Sequence, residues 1–160
     1  MTNQEPMTPL TLHRERLTPS PGVYLATVLL IPATFLVFLP INVAAGIIVA
    51  AVFYLGSVAA FIGTSPVVQV TPDGFFAGAA HLTPDEIGTV TTYTGADATQ
   101  QRGPLLDARA WTLFRGWVHP VVRIELLDET DPAPYWLVST RHPDKLTAAL
   151  ARVTSSREST

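Results

Sequence analysis

Two stretches decide the architecture: Val23–Leu39, VYLATVLLIPATFLVFL, and Val43–Gly63, VAAGIIVAAVFYLGSVAAFIG, with only Pro40, Ile41 and Asn42 between them. Neither contains Asp, Glu, Lys, Arg or His. As helices rising about 1.5 Å per residue they would run roughly 26 and 32 Å, against about 30 Å of bilayer hydrocarbon. The first is short on its own, but Gly22 and Pro40 at its ends can lie at the interfaces. A water-soluble helix needs a polar face, and neither stretch has one. A signal peptide would carry an apolar core of about 7–15 residues followed by a small-residue cleavage site, whereas here a second apolar stretch follows at once. The expectation is a helical hairpin that crosses a membrane twice, with both chain ends on one side. Pro and Asn in Leu39-Pro40-Ile41-Asn42 suit its tight turn. Pro32 is expected to kink the first span, because it has no N–H to give the helix ladder.

The composition agrees. Of 160 residues, 48% are hydrophobic and 14% charged, and the mean hydropathy is +0.29; a soluble domain carries about 25% charged residues. A disordered charged tail is excluded. With net charge −3 and pI about 5.7, nucleic acid is not expected as a partner. No cysteine is present, which excludes a disulfide framework, a thiol nucleophile, an iron–sulfur site and a cysteine zinc site. Arg14 and Arg16 precede the first span, the turn has no basic residue, and none follows the second span until Arg102. The positive-inside rule then places both termini in the cytoplasm. The lack of ionisable residues inside the spans argues against a transporter or pump. The second span carries small residues at helical spacing, Gly46 with Ala50 and Gly56 with Ala60. Such pairs let helix backbones approach closely, either against the first span of the same chain or against another membrane protein.

Outside the spans, residues 1–21 read as a polar N-terminal arm with Pro6, Pro9, Pro19 and Pro21, in which His13-Arg14-Glu15-Arg16 would lie near the headgroups. Residues 22–63 form the hairpin, 64–154 a β-rich domain and 155–160 a tail. In the domain, Val67–Val70 is a short strand, Thr71-Pro72-Asp73-Gly74 a turn with Pro and Gly at favoured places, and Phe75–Leu82 a returning strand. Further strands are expected over Ile87–Tyr93, Ala108–Phe114, Val121–Leu127 and Pro134–Thr140. Gly95–Gly103 is a loop or short helix. Pro143 opens a helix at its favoured first position, with Leu146, Leu150 and Val153 on one face. The fold class is α+β: a two-helix transmembrane hairpin followed by a small antiparallel β domain closed by a C-terminal helix, similar in architecture to a pleckstrin-homology domain.

Chemistry is sparse. His13, His81, His119 and His142 show no metal-ligand spacing, so no metal and no cofactor is expected. Ser139-Thr140-Arg141-His142 sets a hydroxyl beside an imidazole, a pattern that equally describes a strand end leading into a helix cap. Asp128, Glu129 and Asp131 lack the ordered spacing of a calcium loop and read as a solvated turn. The set Asp107, Arg109, Arg115, Arg141, Tyr135 and Trp136, with Arg102, Arg123, Trp111 and Trp117, suits a protein interface or an anion site, or a network of arginines paired across strands with Asp107 and Glu125.

The motifs Gly103-Pro104-Leu105-Leu106-Asp107-Ala108-Arg109-Ala110 and Asp131-Pro132-Ala133-Pro134-Tyr135-Trp136-Leu137-Val138-Ser139-Thr140-Arg141-His142-Pro143 resemble an actinobacterial family of unknown function. Its members are small membrane proteins with two N-terminal spans and a compact C-terminal domain. The resemblance implies the cytoplasmic membrane of a high-GC Gram-positive bacterium and brings no catalytic residues. The expected function is a non-enzymatic, membrane-anchored interaction module, an accessory or assembly subunit of a larger membrane complex, respiratory or similar. Its partners would be membrane lipid and either a membrane protein or a second copy of the chain. The alternative is a cytoplasmic-face sensor that binds anionic lipid headgroups or another anionic ligand through Arg109, Arg115 or Arg141; residues 64–160 hold eight Lys/Arg against eleven Asp/Glu, which does not favour it. An enzyme would need a deep pocket with a perturbed His or carboxylate.

Overall fold

The computed structural model describes residues 10–128 and 130–157, the side chain of Arg157 excepted. Pro6 and Pro9 of the arm, Glu129 of the acidic turn and residues 158–160 of the tail lie outside the described residues. The chain divides into two compact units: Thr18–Pro66, and the residues on either side of that segment.

The first unit is helical. Helix α1 spans Pro21–Val28, α2 Leu30–Phe38 and α3 Val43–Gly63. Pro32 would have to bond the carbonyl of Val28, four residues back, and cannot. The helix breaks there: the Leu29 N–H turns to Ala26 O instead, at 3.2 Å. Asn42 turns the chain and also caps α3, its Oδ1 accepting from the Ala45 N–H at 3.1 Å. Two hydroxyls in the apolar stretches bond back to their own helix: Thr27 to Tyr24 O at 2.7 Å and Ser57 to Phe53 O at 2.7 Å. Tyr24 of α1 meets Phe61 of α3 edge-to-face at 6.3 Å. Pro21–Phe38 and Val43–Gly63 are each long and apolar enough to cross a membrane. Neither is a buried core helix, since 0% of the first span and 11% of the second is buried. Leu25, Leu36, Ile41, Ile48, Val52 and Leu55 are all exposed.

The second unit is α+β. Strands β1 (His13–Arg16), β2 (Val67–Thr71), β3 (Gly74–Ala77) and β4 (Ala80–Leu82) form one antiparallel sheet in that order. Strands β5 (Ile87–Tyr93), β7 (Val121–Leu126), β8 (Tyr135–Ser139) and β6 (Trp111–Leu113) form a second, in the order β5-β7-β8-β6. Helix α4 (Gly95–Arg102) lies between β5 and β6 in sequence, and α5 (Pro143–Arg157) closes the unit. Val68, Val70 and Phe75 from one sheet, Val122, Ile124 and Val138 from the other, and Leu146, Leu150 and Val153 from α5 make one core. A smaller cluster of Ala98, Val121, Tyr135 and Leu137 lies on the other face of β7 and β8. Strand β8 is therefore covered on both faces, which is why it reads as an unbroken apolar run rather than an alternation.

Several expectations are corrected. His13–Arg16 is not part of an extended arm: it pairs with β2, Glu15 opposite Val68, and its alternation turns Glu15 inward and Arg14 and Arg16 to solvent. The expected strand Phe75–Leu82 is two strands, because Gly78, at φ 65°, reverses the chain. Thr71 pairs with Gly74 across the two-residue turn; Gly74 has φ 138°, and a Cβ there would lie 2.1 Å from Leu82 O. Ala108–Phe114 shortens to Trp111–Leu113, because Asp107 holds the preceding residues in a turn: its Oδ1 accepts from the Arg109 N–H at 2.8 Å and its carbonyl from the Ala110 N–H at 3.0 Å. The strands are not all antiparallel, since β6 runs parallel to β8, Trp111 beside Trp136.

Candidate functional site

The expected arginine and aromatic set does not form one site. Asp107 and Arg109 make a local, solvent-exposed pair, with Arg109 Nη2 donating to Asp107 Oδ2 at 3.1 Å and Nε to Oδ1 at 3.3 Å. Arg109 thereby holds the Asp107 carboxyl below its ordinary value, and Asp107 raises the guanidinium in turn. The Asp107 N–H donates to Tyr135 Oη at 2.8 Å, so the first sequence motif is tied to the second by one hydrogen bond. The Arg123 guanidinium covers the other side of that residue, 3.8 Å from the ring centroid, and Nη2 donates to Glu125 at 3.3 Å. Trp136 is buried and stacks on Trp111 with centroids 4.0 Å apart. Arg115 Nη1 donates to Phe114 O at 2.8 Å. Arg102 Nη1 donates to Val118 O at 3.1 Å and its guanidinium lies 5.1 Å from the Phe114 ring centroid. Tyr135 and Trp136 are core residues at 3% and 6% exposure and do not present themselves to a partner.

A different cluster brings the two ends of the β unit together. Glu15 is buried, and its carboxylate accepts from the Thr140 hydroxyl at 2.5 Å and from the Arg141 N–H at 2.9 Å. Arg141 Nη1 adds an ion pair at 3.6 Å and also donates to Arg16 O at 3.4 Å. His13 Nε2 and His142 Nδ1 lie 3.9 and 3.8 Å from Glu15 Oε2. The Thr140 Oγ1 accepts from the His142 N–H at 3.1 Å, and the His142 carbonyl takes the Leu146 N–H at 3.0 Å. Glu15 thus locks β1 to the junction between β8 and α5, across 125 residues of chain. Losing that carboxylate would orphan a buried hydroxyl and a backbone donor, at about 1–3 kcal/mol for such a group.

His13 is drawn into this cluster from β1. Its side chain is 9% exposed, and its Nε2 has no hydrogen-bond partner among the described residues. Burial holds the imidazole below its usual 6.5; Glu15 opposes that shift, while His142 and Lys145 add to it. Among the described residues no group of three or more His, Asp or Glu could hold a metal. Neither Glu15 nor His13 was singled out from the sequence as a site residue. The available signal was the strand-like alternation of His13-Arg14-Glu15-Arg16, which turns the odd positions to one side.

On α3 the two small-residue pairs have different fates. Gly46 and Ala50 are buried, and a Cβ at Gly46 would lie 3.1 Å from Phe38 Cβ and 3.6 Å from Phe35 Cδ2. Gly56 and Ala60 are exposed, and a Cβ at Gly56 would meet nothing within 4 Å. With Val52, Phe53 and Ser57 they border a shallow concavity of about 330 Å³.

No curated protein and no solved structure matches the chain. A family described as protein of unknown function (DUF3093) matches over residues 12–150, from β1 into α5, and so takes in both sequence motifs, the Glu15 cluster and the apolar helices. The chain belongs to that family of unknown function.

Proposed function

We propose that the protein is a non-enzymatic, membrane-anchored interaction module, an accessory or assembly subunit that joins a larger membrane protein complex through one face of α3. The observation that carries this reading is the unequal use of the α3 seam. Its Gly46–Ala50 half is filled from within the hairpin by Phe35 and Phe38, while its Gly56–Ala60 half is left open. In lipid, helices associate by close packing of small residues rather than by a hydrophobic driving force. A glycine that faces only acyl chains contributes nothing to such packing, whereas a glycine beneath a partner helix lets the two backbones meet. The groove would also admit a second copy of the chain.

In this reading the membrane is the cytoplasmic membrane of an actinobacterium, and Arg14 and Arg16 ahead of the first span support an orientation with both termini on its cytoplasmic side. Two sheets and a closing C-terminal helix support the likeness to a pleckstrin-homology domain, from which the parallel β6–β8 pair departs. Such a likeness does not assign a ligand. Headgroup binding by Arg109, Arg115 and Arg141 has less support, because these guanidinium groups donate to Asp107, Phe114 O and the Glu15–Arg16 strand respectively.

The test is a photoreactive phenylalanine analogue installed at Phe53, on the open face, or at Phe35, on the closed one, followed by illumination of native membranes. A discrete protein adduct from Phe53, absent from Phe35 and lost on Gly56→Leu, is expected. Lipid adducts alone from both positions would refute the reading.

A further inference from the structure

A cavity of about 210 Å³ lies in the β unit, lined by Leu12 and His13 beside β2 and by Lys145, Ala148, Ala149 and Arg152 on α5. The four helix residues are spaced three, four and seven apart and share one face. The two alanines leave room between two long cationic side chains. Among the described residues neither the Lys145 ammonium nor the Arg152 guanidinium makes a hydrogen bond or an ion pair. At the β1 wall stands His13, its side chain more than nine-tenths buried and its Nε2 without a hydrogen-bond partner. The nearest carboxylate, Glu15, is 3.9 Å from that nitrogen and is already engaged by Thr140 and Arg141. A hollow, two cations unpaired among the described residues and a buried imidazole nitrogen without a partner together suit a small anion with several oxygens.

We propose that this cavity binds a phosphate-bearing anion, its charge bracketed by Lys145 and Arg152 and one oxygen accepting a hydrogen bond from His13 Nε2. The volume suits a phosphoryl group with little attached, being below the roughly 300–1,000 Å³ of drug-sized pockets. The charged and titratable groups facing His13 are Glu15 on its own strand and His142 and Lys145 at the start of α5. Of these, only Glu15 opposes an anion, and its charge is shared with Arg141. A bound anion favours the charged imidazole, so binding draws the His13 pKa upward. The site uses no residue of the hairpin and stands or falls independently of the α3 face.

The full chain in uncharged detergent, titrated with inorganic phosphate, provides the test, read by calorimetry and by the His13 ring resonances. Saturable one-site binding is expected, with the His13 signals moving along the same isotherm. The double variant Lys145→Gln, Arg152→Gln, at two exposed positions, should keep the wild-type tryptophan melting curve and bind at least tenfold more weakly. Repeating the titration in phosphatidylcholine nanodiscs with and without phosphatidic acid separates the sources. Loss of free-phosphate binding when phosphatidic acid is present identifies a lipid headgroup, and undiminished binding identifies a soluble phosphate compound. No saturable binding, equal affinity in the double variant, or a static His13 signal would overturn the site.

Discussion

The hairpin and the β unit solve the same problem with opposite means. In the hairpin the backbone bonds run mostly within each helix, the side chains are nearly all apolar, and the closest packing is the Gly46–Ala50 seam against Phe35 and Phe38. In the β unit the core is closed by residues from distant parts of the chain, and a buried carboxylate, Glu15, ties the first strand to the last helix. The contrast separates two kinds of stability. The hairpin buries little of its own apolar surface, 0% of one span and 11% of the other, and under the proposed function it takes its apolar surroundings from a membrane. The β unit carries its own.

The sharpest way to break the comparison is to unfold one unit and leave the other. All three tryptophans, Trp111, Trp117 and Trp136, lie in the β unit, so their fluorescence melts that unit alone while far-ultraviolet dichroism follows the helices. Leu150→Ala, at a fully buried position, should cost about 3 kcal/mol. That lowers the tryptophan transition by roughly 10–20 °C without loss of the hairpin's helical signal; simultaneous loss of both would show that the units do not fold separately. Glu15→Ala follows at about 2–4 kcal/mol, and Glu15→Gln at about half that, since the amide oxygen still accepts one bond but the pair with Arg141 is gone. If Glu15→Ala melts like the wild type, the carboxylate is not the clasp described above.

Within the hairpin, Gly46→Leu should cost about 1–3 kcal/mol by overpacking against Phe38, read as loss of helical signal at elevated temperature. Gly56→Leu should leave that signal unchanged. Equal damage from the two would erase the distinction between a filled and an open half of the seam. A smaller effect is expected from pH. Because burial lowers the His13 pKa from 6.5, the unfolded chain takes up the proton more readily than the folded one. The associated stability is complete above 6.5 and drains as the pH falls below it. The wild-type tryptophan transition should therefore fall more steeply than that of His13→Gln between about pH 6.5 and 5, and parallel profiles would discount His13. Least of all should Asp107→Asn matter: its partner Arg109 is exposed to solvent, and no measurable change in melting is expected.

What could be read from the sequence follows the same division. Apolar runs free of charge announce themselves as helices without a polar face, and the Pro32 break follows from a missing N–H. Leu146, Leu150 and Val153 were legible as one helix face, and all three are buried. The Glu15 cluster was not legible: its partners Thr140 and Arg141 are 125 and 126 residues away, and nothing local distinguishes a glutamate that will be buried from one that will be solvated. Asp107 was among the expected arginine partners and does pair with Arg109, whereas the carboxylate beside Arg141, Glu15, comes from the other end of the chain. Lys145 and Arg152 carry no signal of their own in the sequence, because the hollow between them depends on Leu12 and His13 arriving from the other end of the chain.

The account rests most heavily on two crossings with both ends on one side, and the absence of native cysteine makes that directly measurable. Single cysteines placed by Ile41→Cys in the turn between α2 and α3, and by Ser155→Cys near the end of α5, can be reacted with a membrane-impermeant maleimide on intact cells. Labelling of the turn from outside, with the α5 position labelled only after permeabilisation, is the expected result. Labelling of both positions in intact cells, or of the α5 position alone, would contradict it.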